Sequence, residues 1–333
     1  MGVTAYSALQ AKTAAMRAKH LSAAQYDELK GKTSVSEAVA YLKYNTVYAP
    51  LLEHVSERTL HRGDLERLLD SYLQSEVQKL YSFCSDSQKQ ILSYTYVRYE
   101  IGILKRILRA LYAGKTIEIT FDTDGFFAGK LSFDPAAAAQ AGSERELLAA
   151  LKNTPYYEVL APPLSSGADL FVAESALDVY YFKYAWRMKG KALKGKDKKM
   201  IEESFGSEID MKNLCWIYRQ KRYYNMPGEL IFATIIPIHY KIPREALIEM
   251  IRTPDADSFV ALARQTRYAR LFDGLDSRFI EQNYDEMVMA RMRKLMQADP
   301  FSIACLIGYT HFLESEIARI VTAVECIRYG THI

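Results

Sequence analysis

The stretch Glu100-Ile-Gly-Ile-Leu-Lys-Arg-Ile-Leu-Arg-Ala-Leu111 decides the fold class. Its apolar residues Ile101, Leu104, Leu108 and Leu111 are spaced i, i+3, i+7, i+10, the period of one buried helix face. Adding 216 to each number gives Ile317, Ile320, Val324 and Ile327, so a second copy of the stripe follows Glu316. Between them, at offsets of 108, Glu208-Ile209 opens a third copy. This middle copy departs from the stripe and places Lys212 and Arg219 at equivalent points.

Two further patterns recur in step with the first, which marks an internal repeat. Asn45-Thr46-Val47-Tyr48, Asn153-Thr154-Pro155-Tyr156 and Gln265-Thr266-Arg267-Tyr268 are 108 and 112 residues apart. Each follows a helix-like segment, at 36–42, 143–151 and 257–262. Glu-x-x-apolar-Asp recurs as Glu66 to Asp70, Glu174 to Asp178 and Glu281 to Asp285, at offsets of 108 and 107. The expectation is an all-α chain of three similar helical-bundle lobes, 1–112, 113–226 and 227–333. Each lobe would run helix, Asn/Gln-Thr-x-Tyr turn, Glu-x-x-x-Asp helix, connection, Glu-Ile helix. Ser36 and Ser143 are N-cap candidates, with acids following in the first turn. Residues 114–133 carry the one run of strand and hairpin character. Pro135 to Gly142, and Pro162-Pro163-Leu-Ser-Ser-Gly167, read as loops.

The bulk properties bound the function. The chain has 333 residues, 49% of them hydrophobic and 25% charged, enough for two or three cores. Forty-three Lys and Arg against 40 Asp and Glu give a net charge of +3, which does not support a nucleic-acid-binding reading of the whole chain. Cys84, Cys215, Cys305 and Cys326 are scattered without a CxxC pair, the usage of a reducing compartment. Met1 to Gln10 lacks the apolar segment of a secretory signal. The longest apolar runs, 230–238 and 301–309, fall far short of a bilayer span. The expected location is cytoplasmic, with any membrane association peripheral.

No catalytic, metal or cofactor site is expected. Gly190 to Gly195-Lys196 has the spacing of a phosphate-binding loop, but Asp197 stands where Ser or Thr would hold magnesium, and no strand precedes it. The six lysines between Lys189 and Lys199 suit a solvated loop, or one facing lipid headgroups or an acidic partner. His54 and His61 lack further ligands for zinc, and Asp122-x-Asp124-Gly125 lacks the rest of a calcium loop.

The recurring acids put two carboxylates one helical turn apart, where they repel by a few tenths of a kcal/mol. Either each pair is met by basic residues of its own lobe, or the acids face an opening shared by three lobes about a pseudo-three-fold axis and meet a basic partner there. Glu66, Asp70, Glu174, Asp178, Glu281 and Asp285 are therefore candidate partner-binding residues. Lys212 and Arg219 join them, as a departure that either breaks the symmetry of the opening or reflects drift.

Several stretches resemble the C subunit of V/A-type rotary ATPases, a family that includes the d subunit of the eukaryotic enzymes. They are Tyr6-Ser-Ala-Leu-Gln-Ala-Lys-Thr-Ala-Ala-Met16, Val97 to Arg109, Glu208-Ile-Asp-Met-Lys-Asn-Leu214 with Ile217-Tyr218-Arg219, and Asp299-Pro300-Phe301 through Glu316-Ile317. Residues 114–133 and 189–199 depart from that family's pattern. The resemblance implies a funnel of three helical lobes, seated on the membrane rotor ring and receiving the tip of a central shaft of D-type and F-type subunits. It implies a non-catalytic protein that binds no nucleotide and transmits torque. The competing reading is a helical-repeat scaffold for other proteins, unrelated to rotary machines.

Overall fold

The computed structural model describes residues 4–57, 60, 62–115, 125–274 and 277–331, and among them it is all-helical. The first helices are α1 (Thr4–Arg17), α2 (Ala23–Lys30), α3 (Val35–Asn45), α4 (Ala49–Leu52), α5 (Arg62–Tyr81) and α6 (Asp86–Tyr112). Next come α7 (Pro135–Ala139), α8 (Glu144–Ala150), α9 (Pro155–Ser165), α10 (Leu170–Ala192) and α11 (Gly195–Tyr224). The chain closes with α12 (Gly228–Thr234), α13 (Arg244–Arg252), α14 (Ala256–Ala263), α15 (Ser277–Ala298) and α16 (Ala304–Tyr329).

Local chemistry explains where the helices begin, including where the sequence misled. Ser143 caps α8 as expected, but α3 is capped by Ser34, whose hydroxyl accepts from the Glu37 amide. The alanine-rich segment read as a loop is helical: Asp134 accepts from the amides of Ala136 and Ala137, and Pro135 stands at the first turn, where its missing N–H costs nothing. Pro162 and Pro163 lie inside α9, where burial of Leu160, Pro163 and Leu164 outweighs their poor helix propensity. Part of the expected hairpin, 116–124, lies outside the described residues; of the remainder, 128–130 forms a 3-10 turn. The lysine-rich stretch is not a loop either. It is a helix–turn–helix joint, α10 ending at Ala192 and α11 starting at Gly195, with Leu193 buried between them.

The chain forms two compact units. Unit 1 draws on Met1–Ser85, Thr120–Lys130 and Ala298–Ile333. Its core sets Leu29, Leu42, Leu52, Leu65 and Leu69 against Ile320 and Val324 of α16, so the predicted C-terminal stripe is spent on the N-terminal helices. Unit 2 draws on Asp86–Ile119 and Leu131–Gln297. There α10 packs on α6, α9 and α11, and α11 on α14. Ile101, Leu104 and Leu108 of the opening stripe are buried, as are Ile209, Leu214 and Ile217 of α11.

One motif is built three times. Each Thr hydroxyl of the Thr-x-Tyr turn donates back to a helix carbonyl: Thr46 to Leu42 at 2.6 Å, Thr154 to Leu151 and Thr266 to Ala263 at 2.7 Å. The same oxygen accepts from the tyrosine amide two residues on, at 3.2 Å in all three turns. That local loop turns the chain inward and buries Tyr48, Tyr156 and Tyr268. Each phenol then donates to a carboxylate: Tyr48 to Glu316 at 2.8 Å, Tyr156 to Glu100 at 2.7 Å, Tyr268 to Asp210 at 3.0 Å.

Each carboxylate also accepts from a connecting segment. Glu316 takes the Leu21 amide at 3.0 Å and faces His20 Nδ1 at 3.0 Å. Glu100 takes the Ser132 amide and hydroxyl. Asp210 takes the amides of Tyr240, Lys241 and Ile242 at 3.1, 2.7 and 3.2 Å. Each acid thus ties its own long helix to a turn and to a connection. Glu100 and Asp210 bond to the turn that follows them in sequence, whereas Glu316, near the chain's end, bonds to the first turn.

Burial pushes the carboxyls of Glu100 and Asp210 above their usual range despite these bonds, and pushes all three phenols up further. The Asp210 knot needs a close approach as well. A Cβ on Gly206 would meet the Tyr240 ring at 2.5 Å, so glycine lets that connection lie against α11.

Tyr156→Phe removes one donor and leaves a buried carboxylate oxygen short of a partner; the expected loss is about 1–3 kcal/mol in denaturant titration. Gly206→Ala should lower the melting temperature by forcing Tyr240 away, and should raise amide exchange at 240–242.

Candidate interaction site

The candidate acids lie on α5, α10 and α15, and their repulsion is answered within the fold. On α10, Glu174 receives the Arg109 guanidinium through two bonds, 2.5 and 3.2 Å, while Asp178 receives Lys105 at 2.6 Å. Lys105 and Arg109 are themselves one turn apart on α6, so two antiparallel helices meet as two matched rungs. On α15, Glu281 pairs with Arg219 at 2.6 Å. Lys212 rests over the Tyr284 ring at 4.8 Å and draws down the carboxyl of Asp285, which burial raises. Glu66 and Asp70 on α5 are also engaged.

The departure of the middle repeat now has a physical cause. Lys212 and Arg219 occupy stripe positions because the helix facing them, α15, presents Asp285 and Glu281. Around them lies a polar cluster, centred on the buried Glu208, that sequence reasoning missed. Tyr284 donates to Glu208 at 3.1 Å, and Arg98 of α6 bears on Glu208, Tyr284 and Asp285 while its guanidinium lies 5.6 Å from the Tyr181 ring centre. Burial raises the Glu208 carboxyl above its ordinary 4.5, and raises the Cys215 thiol to about 12. The sequence aligned Glu208 with Glu100 and Glu316, yet the middle knot is made two residues later by Asp210. A second acid at that spacing was the available signal.

The solvent-facing features of unit 2 are sorted by end. The pairs Arg109–Glu174 and Arg219–Glu281 place the C-termini of α6 and α11 beside the N-termini of α10 and α15. At this end Tyr112, Tyr223, Tyr224, Leu230, Phe232 and Phe279 are all 38–55% exposed. Tyr224 stacks on Phe171 with ring centres 5.6 Å apart, and the Tyr112 hydroxyl donates to the Ala168 carbonyl at 2.6 Å. Helix α11 stops on Asn225, in the left-handed region at φ 43°. Beside that stop is a cavity of about 240 Å³, lined in part by Lys221, Met226, Ile251 and Arg252. Exposed apolar groups at one end make it a candidate interaction surface. Among the described residues no group of His, Cys, Asp and Glu could hold a metal ion, and no helix is long and apolar enough to cross a membrane.

Glu208→Gln tests this cluster by pH. An acid held above its ordinary value binds a proton in the folded chain that the unfolded chain has released, so stability falls as pH rises from about 4.5 toward the raised value. The melting temperature of the Gln variant, relative to wild type, should rise between pH 5 and pH 7.5. Lys105→Met should cost about 1 kcal/mol, and adding Asp178→Leu should recover most of it.

Comparison with known proteins adds to this geometry. The family described as ATP synthase (C/AC39) subunit matches residues 9–332. The A-type ATP synthase C subunit of Pyrococcus horikoshii is 24% identical over 332 residues, covering 97% of this chain and 87% of that protein. The corresponding C subunits of Methanocaldococcus jannaschii and Thermococcus kodakarensis are each 22% identical, covering 96% and 98% of this chain and 82% and 88% of theirs.

Proposed function

Since the chain belongs to the ATP synthase (C/AC39) subunit family, we propose that it is a non-catalytic central-stalk component of a V/A-type rotary ATPase, linking the shaft to the membrane rotor ring and passing torque between them. The observation that supports this role best is the triplicate knot. A body that transmits torque must resist shear between its helices, and each knot ties a long helix to two other segments through short, buried, charge-assisted bonds.

In this reading the chain receives shaft subunits of the D and F type. The exposed aromatic end of unit 2 is a protein-docking surface. The cavity beside Lys221 and Arg252 accepts an apolar side chain with an acid close by. Glu281 and Arg219, 65% and 47% exposed, border that surface. ATP chemistry belongs to other subunits. The chain is peripheral to the membrane and is seated on the ring.

The test is reconstitution with purified shaft subunits and rotor ring. Wild type should co-elute with both. Tyr224→Ser combined with Leu230→Ser and Phe232→Ser should lose one of the two partners while keeping its helical circular dichroism. Wild type that captures neither partner contradicts the proposal, and a triple variant that keeps both removes the aromatic end from it.

A further inference from the structure

The opposite end of unit 2 has a different chemistry. Helix α11 is 30 residues long, so this end lies about 45 Å from the aromatic one. It is formed by the C-terminus of α10, the N-terminus of α11, the N-terminus of α6 and the last turns of α15. Lys194, Lys196 and Lys199 are exposed and Lys198 is half-buried at the joint. The Arg291–Glu203 pair at 2.8 Å holds α15 alongside, so the exposed Arg293 and Lys294, within one turn of it, fall at the same end.

Most acids at this end are already matched by other cations. Glu202 pairs with Lys189 at 3.3 Å, Glu203 with Arg291, and Asp86 with Lys89 at 3.5 Å. Asp197 adds one further negative charge beside the six cations just named. A chain of net charge +3 therefore concentrates a larger positive excess in one place. This is a property of the fold, because α15 contributes residues almost 100 positions beyond the lysine run.

Among the described residues the exposed large apolar side chains of unit 2 lie at the other end; the nearest in sequence to this one are Phe83, three residues before α6, and Phe301, three after α15. Composition separates two kinds of anionic partner. A protein interface is poor in lysine, whereas a sheet of lipid headgroups is diffuse and polar and is met well by mobile ammonium groups on long stems. We propose that this basic end is a docking surface for the anionic headgroups of a phospholipid bilayer. The proposal rests on the charge distribution of unit 2 alone and stands apart from the role assigned to the aromatic end.

The experiment is co-sedimentation of the full chain with vesicles of phosphatidylcholine, with and without phosphatidylglycerol, at low and physiological ionic strength. Wild type should bind the anionic vesicles, bind the neutral ones weakly, and release as salt rises. Combined Lys194→Gln, Lys196→Gln, Lys198→Gln and Lys199→Gln should weaken binding about tenfold or more. A control carrying Lys19→Gln, Lys30→Gln, Lys115→Gln and Lys152→Gln removes the same charge elsewhere and should bind nearly as wild type. Equal loss in both variants, equal binding to neutral vesicles, or no binding at low salt would each overturn the proposal. Matching circular dichroism of the three proteins excludes unfolding as the cause.

Discussion

A buried carboxylate that accepts a tyrosine hydroxyl from one side and loop donors from the other is the constraint on which this structure depends. Removing such a group from water costs several kcal/mol, and the cost is met only if its oxygens find their donors. The knot is therefore close to all-or-none. Apolar stripes press the helices together but permit sliding, since one methyl serves about as well as another. The knot fixes registry. It does so at Tyr48–Glu316, Tyr156–Glu100 and Tyr268–Asp210 with different supporting donors each time. At Glu316 these are the Leu21 amide and His20, at Glu100 they are Ser132 groups, and at Asp210 three consecutive amides.

The Glu316 knot also explains how the chain's ends are used. Glu316 lies 17 residues from the C-terminus and bonds to a turn at Tyr48 and a connection at Leu21. Unit 1 is consequently built from both ends of the sequence and cannot be completed until α16 is made. In unit 2 the equivalent partners are 56 to 58 residues apart. Closing contacts of that span costs about 1.4 kcal/mol less loop entropy than closing one that spans 268 residues.

How much of this was legible depended on whether the signal was local. Helical class and the stripe at Ile101, Leu104 and Leu108 were legible because periodicity is a property of neighbouring residues. The Thr-x-Tyr turns were legible as a repeat for the same reason: the Thr46, Thr154 and Thr266 hydroxyl bonds close within a few residues. Which acid meets which tyrosine was not legible, because a repeat shows that copies are equivalent and leaves open which copies touch. Glu208 drew attention as the repeated acid, but α15 offers it Tyr284, and the knot falls to Asp210. Proline and lysine misled in the opposite direction. Pro135, Pro162, Pro163 and the run from Lys189 to Lys199 carry strong local signals for loops, and caps or burial overrode them.

The candidate ion-pair residues show the same division. The i, i+4 acids were visible in the sequence and so was the penalty they carry; that Lys105, Arg109, Lys212 and Arg219 relieve it could be seen only once α6, α10, α11 and α15 were placed side by side. The most direct measurement of the central claim is native-state hydrogen exchange at the Lys241 and Ile242 amides, which sit in a connection with no helix to protect them. The account predicts strong protection that Asp210→Asn reduces by tenfold or more, about 1.4 kcal/mol. Exchange as fast as at an exposed loop, or protection unchanged by the substitution, would contradict it.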